Sequence, residues 1–112
     1  MPRPRKCRKV CCLPKISEFY PVGGASECIT LTVDEFETIR LIDKEGFSQE
    51  ECAGFMQVSR TTIQSIYDCA RGKIAGALVG GCAIRIEGGD YILCSGEEKH
   101  CYCGGCHRRC VK

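Results

Sequence analysis

The chain has no run of about 18 apolar residues and no charged-then-apolar beginning, which argues against a membrane-spanning helix and a secretory signal. The expected compartment is the cytoplasm. No Gly-rich phosphate loop follows a strand pattern, and the acids fall on helix faces expected to be exposed, so an enzyme is the weakest reading. Acid is also missing from the first 15 residues, which carry Arg3, Arg5, Lys6, Arg8, Lys9 and Lys15. Because the formal net charge is only +2, the distribution of charge says more than its sum. With 112 residues, the chain is expected to form one small domain with tails.

Cysteine, by contrast, is abundant: 12 residues. In a secreted chain this would suggest a disulfide scaffold, but without a signal metal or redox chemistry is the better account. Cys7, Cys11 and Cys12 lie near one end, and the sequence assigns them no role. Cys28, Cys52, Cys69 and Cys82 are scattered, with Cys52 and Cys69 expected as small core residues. Near the other end Cys101, Cys103, Cys106 and Cys110 form C-x-C-x-x-C-x-x-x-C around Gly104-Gly105, four thiols within reach of one ion. Zn(II) is the simplest occupant and an iron-sulfur cluster the lesser one. Cys94, His100 and His107 make the ligand set over-complete, so the spacing does not choose four. The plain alternative is an unliganded reduced tail.

Three helices are expected between residues 31 and 80. Thr32 with Glu35, and Ser48 with Glu51, form two capping boxes, in which a hydroxyl and a carboxylate satisfy free backbone N–H groups. In the first helix Val33, Phe36, Ile39 and Ile42 recur every three residues, and Asp34, Glu35, Glu37 and Asp43 are expected on a face turned away from DNA. Gly46 ends it. In the second, Cys52, Ala53 and Met56 share one face, with Ala53 at the crossing and Val58 under the turn. Ser59 then caps a third helix running to about Val79, where Ile63, Ile66, Tyr67, Ala70, Ile74 and Leu78 form the stripe and Gly80-Gly81 the stop.

Around this core the sequence predicts a basic extended arm over 1–15, a loop over 16–30 whose aromatics pack on the domain, a β-hairpin over 81–94 and a Cys-rich tail over 95–112. Cys28 to Leu31 suits a short strand or a linker. The hairpin expectation rests on C-A-I-R-I-E and Y-I-L-C alternating around G-G-D.

The third helix offers Arg60, Thr61, Gln64, Ser65 and Asp68 to solvent, mostly side chains that hydrogen-bond base edges and phosphates. Periodicity alone permits a blander reading, a surface helical hairpin in a bundle. Leu31 to Ile74, L-T-V-D-E-F-E-T-I-R-L-I-D-K-E-G-F-S-Q-E-E-C-A-G-F-M-Q-V-S-R-T-T-I-Q-S-I-Y-D-C-A-R-G-K-I, resembles the promoter-reading region 4 of bacterial sigma factors. Together with M-P-R-P-R-K at the start and L-V-x-G-x-A-I-R-I-E-G-G at Leu78 to Gly89, it resembles a small prokaryotic family of predicted DNA-binding proteins, domain of unknown function family 134. Gln57 stands at a turn position often held by Gly, and a positive φ there would cost roughly 1 kcal/mol.

The expected fold is therefore mostly α: a sigma region 4-like helix-turn-helix in a three-helix core, with a C-terminal β-hairpin and a Cys-rich tail. The expected function is transcriptional regulation by recognition without catalysis, with double-stranded DNA as partner. Arg60, Thr61 and Gln64 would read bases, while Thr62, Ser65 and the arm residues Arg3, Arg5 and Lys6 would hold phosphates. A second copy of the chain is a further expected partner, because a lone motif reads few base pairs. Two other readings stand beside it: a regulator gated by metal or redox chemistry at the cysteines, and a sigma-like interaction protein docking transcription machinery or RNA.

Overall fold

The computed structural model describes residues 8–11 and 13–93. In chain order they form β1 (Arg8–Val10), β2 (Glu18–Phe19), β3 (Cys28–Leu31), α1 (Val33–Ile39) continued by a π-helical turn (Arg40–Lys44), α2 (Gln49–Met56), α3 (Arg60–Gly80), β4 (Ala83–Ile86) and β5 (Tyr91–Leu93).

Each helix starts where a side chain can take up its free N–H groups. The Thr32 hydroxyl accepts from Glu35 N–H, and the Glu35 carboxylate accepts from Thr32 N–H at 2.8 Å. Ser48 and Glu51 make the same reciprocal pair at the head of α2. Just past the π-helical turn, Gly46 has a φ of 86° that admits the reversal, and Phe47 N–H donates to the Leu41 carbonyl at 3.0 Å. Gln57 closes α2 in the left-handed region at φ 60°, so the strain expected of a non-glycine there is present. Its N–H and that of Val58 still find the last carbonyls of α2, which satisfies the helix end.

The helices share a core of Leu41, Cys52, Ala53, Met56 and Ile63, joined by Cys11 from the N-terminal segment. Phe47 and Phe55 pack edge to face beside it, with ring centroids 4.7 Å apart. Val10, Leu31, Val33, Ala70 and Ile86 build a second core where the strands meet α1 and α3. Cys52 is fully buried, and burial next to the Glu37 carboxylate pushes its thiol up to about 12, so it behaves as an inert apolar residue.

The expectation of a mostly α fold with a β-hairpin is corrected by the strand pairing: the architecture is mixed α/β, with three helices and five strands in two small sheets among the described residues. β4 lies between β2, antiparallel with Phe19 opposite Ile84, and β3, parallel with Leu31 opposite Ile86. β5 pairs instead with β1, in parallel, Val10 opposite Leu93. The alternating residues form strands, but the Gly88-Gly89 loop does not fold them onto each other. Its Gly88 carbonyl accepts from Val33 N–H at 3.0 Å, so the loop covers the head of α1. Each strand finds its ladder partner far away in sequence, a pairing that local alternation cannot specify.

Four further expectations are corrected by burial. Asp34, Glu35 and Glu37 are buried rather than displayed: Arg8 of β1 and the Gly88-Gly89 loop lie against Asp34, Lys73 of α3 meets Glu35, and the Cys11 N–H donates to Glu37. Leu78 is 76% exposed, since the buried stripe of α3 continues through Ala77. Cys69 is exposed rather than a core residue. Phe19 and Tyr20 are each more than half exposed instead of packed down.

Glu35 binds α1 to α3 as well as capping α1, because Lys73 Nζ donates to its Oε1 at 2.8 Å. Burial pushes the Glu35 carboxyl up, but hydrogen bonds from Lys73, Thr32 N–H and Cys69 outweigh it, and the net shift is downward from 4.5. A carboxyl depressed on folding stabilises the fold above its unfolded value, and that contribution is lost as pH falls through the folded one. Glu35→Gln is therefore expected to lower the urea midpoint at pH 7 and to flatten its decline below about pH 4.5. Urea titrations between pH 3 and 7 check this; parallel acid profiles for the two proteins would refute it.

Candidate nucleic-acid interface

The N-terminal half of α3 is fastened on one side and free on the other. Ile63, Ile66, Tyr67 and Ala70 are buried, and Arg60, Thr61, Gln64 and Ser65 are exposed. Thr62 is half-buried at the first turn: its N–H donates to Ser59 Oγ at 3.1 Å, and the two hydroxyls share a hydrogen bond of 2.9 Å. Further along, Tyr67 OH donates to Asp43 Oδ1 at 2.8 Å, and Arg71 lies 5.3 Å from the centroid of the Tyr67 ring. Burial pushes the Tyr67 hydroxyl up, and the bond to Asp43 pushes it the same way, so it stays a neutral donor. These contacts leave the exposed face little freedom to roll.

The first turn of α3 holds no acidic residue, so the positive end of the helix dipole and the Arg60 guanidinium are available to an anion together. Acids do lie nearby: Glu50 and Glu51 open α2, and Asp68 is exposed on α3. Residues 8–11 and 13–93 carry 9 Lys and Arg against 12 Asp and Glu, a formal −3, whereas the whole chain is +2. The remaining residues thus supply a net +5, so most attraction to a polyanion must come from the ends of the chain.

Of the predicted site residues, Arg60, Thr61, Gln64 and Ser65 come together on one exposed helix face, with Thr62 beside them as a helix-capping partner. Arg3, Arg5 and Lys6 lie outside the described residues, as do Cys94, His100, Cys101, Cys103, Cys106, His107 and Cys110. Among the described residues no group of three or more His, Cys, Asp or Glu could hold a metal ion. The arm itself is shorter than its charge pattern suggests. Arg8 pairs with Asp90 at 3.5 Å and Asp34 at 3.9 Å, and Lys9 is buried, so these two cations belong to the fold. Sequence reasoning missed this; the one signal was the apolar run from Val10 to Leu13 that follows the two cations.

The geometry defines a small α/β protein in which a short helix, a tight turn and a long helix expose a polar face over a fixed apolar one. No helix among the described residues is long and apolar enough to cross a membrane. The chain belongs to the family described as "Protein of unknown function DUF134", which it matches over residues 1–94. It is 54% identical over 112 residues to a UPF0251 protein of Desulfitobacterium hafniense (strain DSM 10664 / DCB-2), covering 97% of this chain and 89% of the relative. A UPF0251 protein of Caldicellulosiruptor saccharolyticus is 59% identical over 92 residues, 82% of this chain and 66% of the relative. One from Caldanaerobacter subterraneus subsp. tengcongensis is 50% identical over 111 residues, 96% of this chain and 93% of the relative. No solved structure matches the chain.

Proposed function

We propose that this protein is a DNA-binding regulator of transcription that lays the N-terminal half of α3 in a major groove and performs no catalysis. The observation that carries this reading is the shared exposed face of Arg60, Thr61, Gln64 and Ser65 on a capped helix whose opposite side is buried. Arg60, Thr61 and Gln64 have the donors and acceptors that read base edges, while Ser65, the helix N-terminus and the arm bearing Arg3, Arg5 and Lys6 hold phosphates. A second copy of the chain would supply a second half-site, about 34–36 Å away for one turn of DNA. Genome-wide footprinting with the tagged protein identifies the site and shows whether it is palindromic.

On that site, Arg60→Ala is expected to cost about 1–3 kcal/mol of binding and to relax sequence preference. Replacing Arg3, Arg5 and Lys6 is expected to weaken binding to all duplexes alike and to reduce the salt slope. Isotherms on specific and scrambled duplexes at several salt concentrations separate the two effects. Unchanged binding by the Arg60 variant would rule out α3 as the reading helix.

A second reading, in which metal at the cysteines gates binding, rests on the C-x-C-x-x-C-x-x-x-C spacing of the chain from Cys101 to Cys110. The proposed ligands are Cys101, Cys103, Cys106 and Cys110, with Zn(II) as the simplest ion. Purified protein is expected to carry about one metal equivalent in elemental analysis, and chelation to leave the helical circular dichroism of α1 to α3 intact. An iron-sulfur cluster would announce itself by colour and oxygen lability. Metal-free protein from both aerobic and anaerobic purification, with all four thiols open to alkylation, would remove this reading.

A further inference from the structure

The far end of α3 departs from the pattern of its first half. No charged residue stands between Lys73 and Arg85, yet Ala75, Gly76, Leu78, Val79, Gly80 and Gly81 are all exposed. The last turn of an exposed helix ordinarily carries Lys or Arg, which suit the negative end of its dipole, and here it has none. A helix that is apolar on its outer side as well as its inner one is one that a further element covers. With β2, the loop after it and β4, this helix end encloses an open hollow of about 290 Å³. Phe19, Tyr20, Leu78 and Ile84 line it, and no described residue that lines it is charged. At its rim the Gly24 N–H donates to the Pro21 carbonyl at 2.9 Å, closing a turn that holds Val22 fully in solvent, at a tip position where polar residues are usual.

The chemistry of the face selects its occupant. Without a cation it offers a nucleic acid or an anionic lipid surface no attraction, so the fitting partner is a protein surface. Area, charge and shape favour a second copy of this chain. Phe19, Tyr20, Val22, Leu78 and Val79 are each between half and fully exposed, and at roughly 150–200 Å² for a large side chain they offer on the order of 600 Å² of the ~800 Å² that each partner of a stable complex covers. A twofold axis lays a patch against itself, which like charges would oppose; this patch is neutral, and Glu18 and Arg85 at its margin pair with each other at 3.3 Å. The same face carries both a hollow and a projecting Val22, the recess and the knob that a self-complementary contact needs.

We infer that the end of α3 and residues 19–22 form the face by which two copies of this chain associate, with Val22 of each seated in the hollow of the other. Val79 lies roughly 28 Å along α3 from Arg60 at 1.5 Å per residue, so the contact leaves the residues proposed to meet DNA uncovered. Association is read on the protein alone, and the result does not depend on whether α3 reads DNA. The full chain is followed by analytical ultracentrifugation over a concentration series, under reducing conditions that exclude intermolecular disulfides, and by amide NMR on dilution. The unaltered chain is expected to pass from monomer to dimer as concentration rises, with the shifts centred on Val22, Leu78 and Val79. Val22→Glu and Leu78→Glu each alter an exposed side chain and are expected to keep the helical circular dichroism while weakening dimerisation at least tenfold. Ile92→Glu, at a half-exposed position on β5, is expected to leave dimerisation unchanged. Should a variant lose its helical signal, the dilution shifts of the unaltered chain decide. A chain that stays monomeric at every concentration would overturn the inference and leave the face to a different protein. Undiminished dimerisation of both folded variants, dilution shifts centred elsewhere, or equal weakening by Ile92→Glu would overturn it too.

Discussion

Gly89→Val is expected to be among the most damaging single substitutions in the fold, costing about 3 kcal/mol by combining backbone strain with overpacking. Gly89 has φ +98°, outside the regions open to branched residues, and a Cβ there would overlap Asp34 Oδ1 and stand 2.8 Å from Thr32 Cβ. Both neighbours lie at the head of α1, where Thr32 is the cap and Asp34 Oδ1 is buried without a hydrogen-bond partner. The loop cannot back away without releasing the bond from Val33 N–H to the Gly88 carbonyl. Gly88 is the internal control: its φ is +76°, but a Cβ would meet open space, so Gly88→Ala should carry only the left-handed penalty of about 1 kcal/mol. Urea unfolding of the two variants, compared by midpoint at equal slope, makes the test. Equal losses would mean that the close approach to α1 contributes nothing.

Loss of the Glu37 carboxylate is expected to cost still more, about 3–5 kcal/mol for Glu37→Ala, because it takes from the largely buried Arg40 guanidinium its bidentate carboxylate. Glu37 is 1% exposed, accepts from Arg40 Nε at 2.8 Å and Nη2 at 2.7 Å, and also accepts from Cys11 N–H at 3.1 Å. One side chain thus holds the π-helical turn to α1 and the N-terminal segment to both. In the single variant Arg40 loses both of these bonds, with Glu45 standing 3.6 Å from it, and the Cys11 N–H loses the carboxylate it donates to. Replacing Glu37 and Arg40 together by methionine removes both charges and retains volume, and is expected to destabilise less than Glu37→Ala alone. Thermal and urea unfolding of the single and double variants decide this. A double variant no better than the single one would show that the geometry, not the paired charge, is what the core requires.

Glu37 also shows where sequence reading fails. On a helical wheel it belongs to an acidic face that should look outward, and only the segment bearing Cys11, laid across that face, makes it an interior residue. Arg8 and Lys9 fail in the opposite direction, appearing as part of a free basic arm while the fold uses them in β1. By contrast, α2, its turn and the first half of α3 were legible down to single residues: the Ser48–Glu51 box, the left-handed Gln57, the Ser59 cap and the buried Ile63, Ile66, Tyr67 and Ala70. That is also the stretch holding the candidate interface, so its exposed residues could be named from the sequence.

Sequence alone determined the elements whose causes are local. Capping boxes, glycine stops and helical stripes act over three or four residues, within the reach of hydrogen bonds and rotamers along one segment. Only the tertiary structure decided the class of the fold: that β4 joins β2 and β3, that β5 joins β1, and that the loop between them closes on α1. An alternating segment states that it will be a strand, but not with which strand it will pair. Ladder hydrogen bonds are the same for every partner, and the choice depends on which distant segments can bury their apolar sides together.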